Sequence, residues 1–200
     1  VKGNLVQGVR RFTWRGAAPC RTATLSVRFH VPGASPVQVV LPGILYNGNP
    51  SGARSGRVPV FGGTPGEAAL FEEHRYPLPF ASVEYEAEGA RRGAAMHSLP
   101  SEVPYGNLND QWWSLGVTGI EGGTELALLS GPCASNGRKS VIKAIQPGFI
   151  PYDRAWLDVP PGAVIEKTFF LEVFPVAAEG AGSSRPLRSS IELFAPFDES

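Results

Sequence analysis

The sequence predicts an all-β fold, an antiparallel two-sheet sandwich with at most one or two short helices, and three observations predict it. The 24 glycines and 19 prolines among 200 residues punctuate the chain too often for long helices. Short runs rich in Val, Phe, Thr and Arg recur between those punctuations. In Thr22-Ala-Thr-Leu-Ser-Val-Arg-Phe-His-Val31 the apolar Leu25, Val27, Phe29 and Val31 alternate with polar residues, the period of a strand packed on one face and wet on the other. With 42% hydrophobic and 10% aromatic residues, the chain is long enough for one domain with a full core. That domain is placed at residues 1–185, with 186–200 as a C-terminal segment leading to a following domain. Val1 leads almost at once into a strand-like run without an initiator Met, so the chain reads as a piece of a longer polypeptide.

Leu5 to Trp14 and Thr22 to Val31 are the first two strands, and the Gly-Ala-Ala-Pro stretch between them reads as the turn of an opening hairpin. Val37 to Leu41 is a short apolar strand. Further strands are expected at Phe80 to Ala87, Ala94 to Leu99, Trp112 to Ile120, Glu125 to Ser130, Lys139 to Gln146, Asp153 to Val159 and Val164 to Phe174. The one helix-like stretch is Pro65 to Tyr76, with Thr64 as its cap. Ala177 to Ser184 is Ala, Gly, Ser and Glu without periodicity and reads as a flexible loop. Beyond it Leu187, Ile191, Leu193, Phe194 and Phe197 are too many apolar groups for a free tail, and should pack on this domain or on a neighbour. No repeat of fixed period is visible, which argues against propellers and solenoids.

Eighteen basic and eighteen acidic residues cancel, so no global field would gather nucleic acid or anionic lipid, and neither is expected as a partner. Cys20 and Cys133 stand far apart without a Cys/His cluster, so no metal and no cofactor is expected. Either a disulfide or two reduced thiols fits them, which leaves cytoplasmic and exported locations open for a chain expected to be soluble. No apolar run is long enough to span a bilayer and no signal-peptide pattern opens the chain. A Gly-x-Ser-x-Gly elbow, a phosphate-binding Gly-rich loop and a His-Glu-x-x-His helix are all missing.

Three segments can carry chemistry. In Leu41-Pro-Gly-Ile-Leu-Tyr-Asn-Gly-Asn-Pro50, Tyr46, Asn47 and Asn49 either build a tight turn or face a sugar, the ring stacking on a pyranose and the amides bonding its hydroxyls. In Phe71-Glu-Glu-His-Arg-Tyr-Pro-Leu-Pro-Phe80, His74 can act as acid or base, tuned by Glu72 or Glu73, or else His74 and Arg75 simply satisfy backbone and acidic partners. The third segment runs from Ala95 to Gly116 and holds His97, Asn109, Asp110, Gln111, Trp112 and Trp113. Adjacent tryptophans in a strand point to opposite faces, so one belongs to the core and the other can line a cleft. Glu84 and Glu86 share one strand face, either as a carboxylate pair or, as period-two acids usually do, marking a solvated face.

Leu-Pro-Gly-Ile-Leu-Tyr-Asn-Gly-Asn, His-Arg-Tyr-Pro-Leu-Pro-Phe and Asp-Gln-Trp-Trp-Ser-Leu-Gly, in that order, resemble the N-terminal galactose-mutarotase-like β-sandwich of large bacterial glycosidase-like proteins, in which an (α/α) toroid follows. The ending Ser189-Ser-Ile-Glu-Leu-Phe-Ala-Pro-Phe resembles the link into that helical domain. The principal carboxylates of such proteins sit in the toroid. The resemblance therefore implies a piece that binds or orients carbohydrate, with a C-terminal helical domain as partner, and no catalysis of its own. A free-standing sugar epimerase, with His74 or His97 and a carboxylate such as Glu73 as acid and base, is the second reading, and a structural or adhesive module is the third.

Overall fold

The computed structural model describes residues 5–33, 38–46, 59–135, 138–141 and 150–194. Along them lie fifteen strands. The first eight are β1 (Leu5–Thr13), β2 (Cys20–Ala23), β3 (Ser26–Pro32), β4 (Gln38–Leu41), β5 (Leu45–Tyr46), β6 (Ala68–Glu72), β7 (Phe80–Ala87) and β8 (Ala90–Ser98). Then come β9 (Ser114–Ile120), β10 (Gly123–Leu129), β11 (Cys133–Ser135), β12 (Arg138–Val141), β13 (Ile150–Pro151), β14 (Leu157–Val159) and β15 (Val164–Pro175), followed by one α-helix, α1 (Ser184–Phe194). The predicted class holds: an all-β, antiparallel, two-sheet sandwich.

One sheet has the order β1-β15-β8-β7-β4-β5 and the other β13-β12-β11-β6-β9-β10-β3, with β14-β2 as a small separate pair. Alternation decides which side chains meet between the sheets. Val83, Ala94 and Met96 of the six-stranded sheet face Ala69, Phe71, Leu115, Val117, Leu126 and Leu128 of the seven-stranded one. The intervening residues Leu70, Ala127, Leu129 and Ala134 form a second apolar cluster on the other face of the seven-stranded sheet. Gly116 keeps β9 close to β6, since a Cβ there would stand 1.9 Å from the Ala69 carbonyl oxygen.

The opening hairpin does not form. β1 pairs instead with β15 in unbroken register from Leu5 opposite Glu172 to Thr13 opposite Val164, and β3 pairs with β10 in the other sheet. The backbone of Trp14 fixes this choice, bonding to both Gly162 and Ala163 at the turn that leads into β15. The predicted strand from Thr22 also breaks, because the Leu25 amide is drawn to the Ser130 hydroxyl at 2.8 Å.

The expected helix at Pro65 to Tyr76 is a strand followed by a single 3-10 turn, Glu73–Arg75. Its cap signal has another use: Glu67 folds back to accept from the Thr64 hydroxyl at 3.0 Å and from the Gly62 amide at 2.9 Å, which closes a turn before β6. The stretch read as a flexible loop is tied down as well. Its residues Gly180 and Gly182 donate their amides to the buried Glu84 carboxylate at 3.2 and 2.9 Å, the first just before and the second within the 3-10 turn Ala181–Ser183 that leads into α1. Glu84 is thus 2% exposed, whereas Glu86 stays in solvent, so the two acids do not form a pair on a wet edge. α1 turns its polar side inward, burying Ser190, and leaves Leu187 and Ile191 outward, 44% and 54% exposed.

Candidate functional site

The Glu72–Trp112 region gathers residues from the second and third sequence segments. β6 ends in Glu72, whose buried carboxylate receives the Arg75 guanidinium at 2.9 Å and lies 3.9 Å from His74 Nε2. The His74 ring packs on the partly exposed indole of Trp112, centroids 4.9 Å apart and planes tilted by 54°. Trp112 is placed by an isolated bridge to Glu102, and Asp110 just before it takes a left-handed φ of 55° at the surface.

Tyr46 approaches the same loop by way of a turn. Pro42 and Gly43, the latter at φ 76°, make the corner between β4 and β5, closed by Ile44 N–H to Leu41 carbonyl at 2.9 Å. The Gly43 amide donates to the Tyr46 hydroxyl at 2.8 Å, and Gly43 abuts Pro77, two residues beyond Arg75. The Tyr46 side chain, 54% exposed, therefore lies over the turn beside the His74 loop. Asn47 and Asn49 lie outside the described residues.

Two candidates of the third segment serve the fold. Trp113 is the core tryptophan, fully buried and stacked against Phe12. Gln111 is 3% exposed, and its amide donates to the carbonyls of Ser130 at 3.0 Å and Ala155 at 2.7 Å. It fills space that Gly106 and Gly131 leave by lacking a side chain. Both side chains are enclosed by the protein.

The acid–base candidates other than His74 are sealed. The Glu73 carboxylate faces Lys167 Nζ at 2.6 and 2.8 Å and also takes the Ser98 hydroxyl and the Ser101 amide. Lys167 completes its shell with the Leu99 carbonyl and the Ser101 hydroxyl and sits 5.4 Å over the Trp113 ring. Burial pushes the Glu73 carboxyl above its ordinary range and the Lys167 ammonium below its own, although each partner's charge opposes the shift. This pair anchors the turn that displays His74 and Arg75.

His97 is equally enclosed. Its Nδ1 meets the Ser190 hydroxyl and its Nε2 meets Glu172, both at 2.9 Å. Glu172 also accepts from Arg185 at 3.1 Å and Ser189 at 3.0 Å. Burial alone would raise this carboxyl, but the hydrogen bonds from His97 and Arg185 outweigh it and hold the group below the usual range. Ser, His and Glu stand in a row, yet Ser190 and His97 are 0% exposed, so the row fastens α1 to the sheet and no substrate reaches it. His74 and His97 do not face each other across one pocket, as proton transfer at a sugar C1 hydroxyl would require.

A cleft absent from the sequence reading opens on the outer face of the seven-stranded sheet. It has a volume of about 480 Å³ and is floored by Ala68, Leu70 and Leu129, with Thr24, Arg28, Thr118 and Trp156 among its polar and aromatic lining. Arg28 Nη1 is 2.6 Å from a Glu125 oxygen that Thr118 also reaches at 3.3 Å. Such a size and mixture suit a small polar ligand with an apolar face. Among the described residues no group of three His, Cys, Asp or Glu is placed to hold a metal, and no helix is long and apolar enough to cross a membrane.

Fold and site together define an antiparallel β-sandwich with a solvent-facing aromatic and ionic cluster at the end of β6 and a cleft along its outer face. Comparison with protein-family models, with curated proteins and with solved structures finds no match to this chain.

Proposed function

We propose that the chain is a carbohydrate-associated β-sandwich of a larger glycosidase-like protein, which binds or shapes a sugar substrate and does not catalyse by itself. The observation that carries this reading is the cluster at the end of β6, where the partly exposed Trp112 carries His74 on its ring beside Glu72 and Arg75. An indole face next to paired donors and acceptors is what a pyranose needs, with its apolar C–H face against the ring and its hydroxyls on the polar groups. The absence of catalysis is supported by the enclosure of Glu73 and His97, whose polar atoms are already partnered. The outward Leu187 and Ile191 of α1 support a helical domain of the same polypeptide as partner.

The test is calorimetric titration with a panel of neutral and acidic saccharides, run beside an assay for released reducing sugar. Binding without sugar release, lost by about tenfold or more in Trp112→Ala with an unchanged melting temperature, is the expected result. Failure of every saccharide to bind, or hydrolysis by the chain alone, overturns the reading.

A further inference from the structure

The cleft on the outer face of the seven-stranded sheet stands apart from the His74–Trp112 cluster. On the strands that run from one to the other, Leu70, Glu72, Ser114 and Cys133 are 0–4% exposed, so no open surface joins the two. None of Glu72, His74, Arg75 and Trp112 lines the cleft. A molecule held there is held by other residues, and their chemistry decides what it can be.

Sheet register builds the cleft with two unlike ends. Ala68 pairs with Thr118 and Thr118 with Glu125, which brings Glu125 to one end, where its carboxylate takes Arg28 at 2.6 Å and the Thr118 hydroxyl at 3.3 Å. At the other end the Gln111 amide ties together the carbonyls of Ser130 and Ala155, and Leu157 pairs with Ala23. Trp156 is thereby set beside Thr24, Leu129 and Pro132, all of which line the cleft. Leu70, Leu129 and Ala134 give it an apolar floor.

Both charged groups of the lining are spent within the protein. Arg28 is held by Glu125, and Glu67 accepts from the Gly62 and Thr64 amides and from the Thr64 hydroxyl. A charged ligand would have to break one of these arrangements or lie unpaired on the apolar floor. What is left for hydrogen bonding is the hydroxyls of Thr24 and Thr118 and the further N–H groups of Arg28, a few polar groups in a largely apolar wall.

We infer that the cleft is a second ligand site, for an uncharged amphipathic small molecule. Its flat apolar body lies between Trp156 and the Leu70–Leu129 floor, and one hydrogen-bonding group meets Thr118 and Arg28. A volume of about 480 Å³ is in the range that encloses such a ligand, as is a lining of apolar and aromatic side chains with a few placed polar groups. The inference goes beyond the carbohydrate reading and does not depend on it. A saccharide carries hydroxyls around its whole ring, and most of them would be buried here without partners.

The probe that tests it is phenylnaphthylamine, an uncharged amine whose emission rises in apolar surroundings, set against anilinonaphthalene sulfonate, the same body with a negative charge. Titrated into the whole 200-residue chain, the uncharged probe should bind saturably at one per chain, and the sulfonate at least about tenfold more weakly. Ala68→Phe, at a partly exposed side chain outside the inter-sheet core, should fill the cleft and abolish that binding with an unchanged melting temperature. Trp156→Ala should weaken it by about tenfold, a second variant that does not rely on filling the site. No saturable binding of the uncharged probe overturns the inference, and so does binding that survives Ala68→Phe, which would place the probe elsewhere on the chain. Tighter binding of the sulfonate overturns the uncharged ligand. Displacement of the probe by a saccharide overturns the ligand class while the carbohydrate reading stands. If the probe behaves as expected and no saccharide binds, the proposed function fails and this inference stands.

Discussion

The two histidine clusters of this sandwich contain the same kinds of residue and do opposite things. Around His97 stand Glu172, Arg185 and two serines, with the histidine and the carboxylate side chains both at 0% exposure. Around His74 stand Glu72, Arg75 and Trp112, and the histidine side chain is 36% exposed. In the first cluster both ring nitrogens of His97 and both oxygens of Glu172 are used by the protein, so the network holds an element in place. In the second the rings and part of the charge face water and are open to a ligand. Composition does not separate the two; what separates them is whether α1 lies on top.

The largest effect should come from the anchor beneath the open cluster. Lys167→Met removes the ammonium and leaves the Glu73 carboxylate buried without its counter-charge. Breaking such a pair from one side costs about 3–5 kcal/mol, so urea denaturation should show a loss of that order. Replacing both partners, Glu73→Gln with Lys167→Met, should recover a substantial part, because no uncompensated charge remains. A double variant as unstable as the single one would mean that the shape of the site, and not its charge balance, supports the His74 turn.

The sealed cluster should respond less strongly and with a definite pH dependence. Glu172→Gln weakens the bonds from His97 and Arg185 and should cost about 1–3 kcal/mol, visible as lost amide-exchange protection in α1. The native carboxyl lies below its unfolded value, near 4.3 for a free Glu. Its stabilisation is therefore complete above about pH 4.3 and is lost as pH falls through the lowered native value. Protection of α1 should fall over that acid range in the wild type and stay flat in Glu172→Gln. A wild-type profile without this acid limb would show that the carboxylate does not hold the helix.

The fold was legible where one period ruled. β3 alternates cleanly, and β7 spans the predicted residues Phe80–Ala87, because each has one face on the inter-sheet core. Pairing partners were not legible: β1 finds β15 across most of the chain, while the local turn at residues 16–19 suggested a hairpin. α1 was missed because its inward side is polar, held by Glu172 and His97, although Pro186 in the first turn and Leu187, Ile191 and Phe194 at helical spacing were a usable signal. Of the site, His74, Arg75 and Trp112 were legible as unusual residue types, and the structure brings them together. The cleft was not, since Arg28, Thr118 and Trp156 come from distant parts of the chain and meet only through sheet order.

The smallest stability effect, and the sharpest contrast with His97, should be His74→Ala. The side chain lies at the surface on a turn whose position is set by Glu73 beneath it, so its removal should change stability by no more than about 0.5 kcal/mol. Saccharide affinity should nonetheless drop by about tenfold, because the ring shapes one side of the Trp112 platform. His97→Ala should show the reverse, a clear loss of stability with the affinity of the folded fraction little changed, since both of its ring nitrogens are spent on Glu172 and Ser190. Chemical denaturation and calorimetry on the two variants side by side read both quantities. If His74→Ala destabilises the sandwich as much as His97→Ala does, the open cluster is part of the scaffold and the ligand must be sought in the cleft alone.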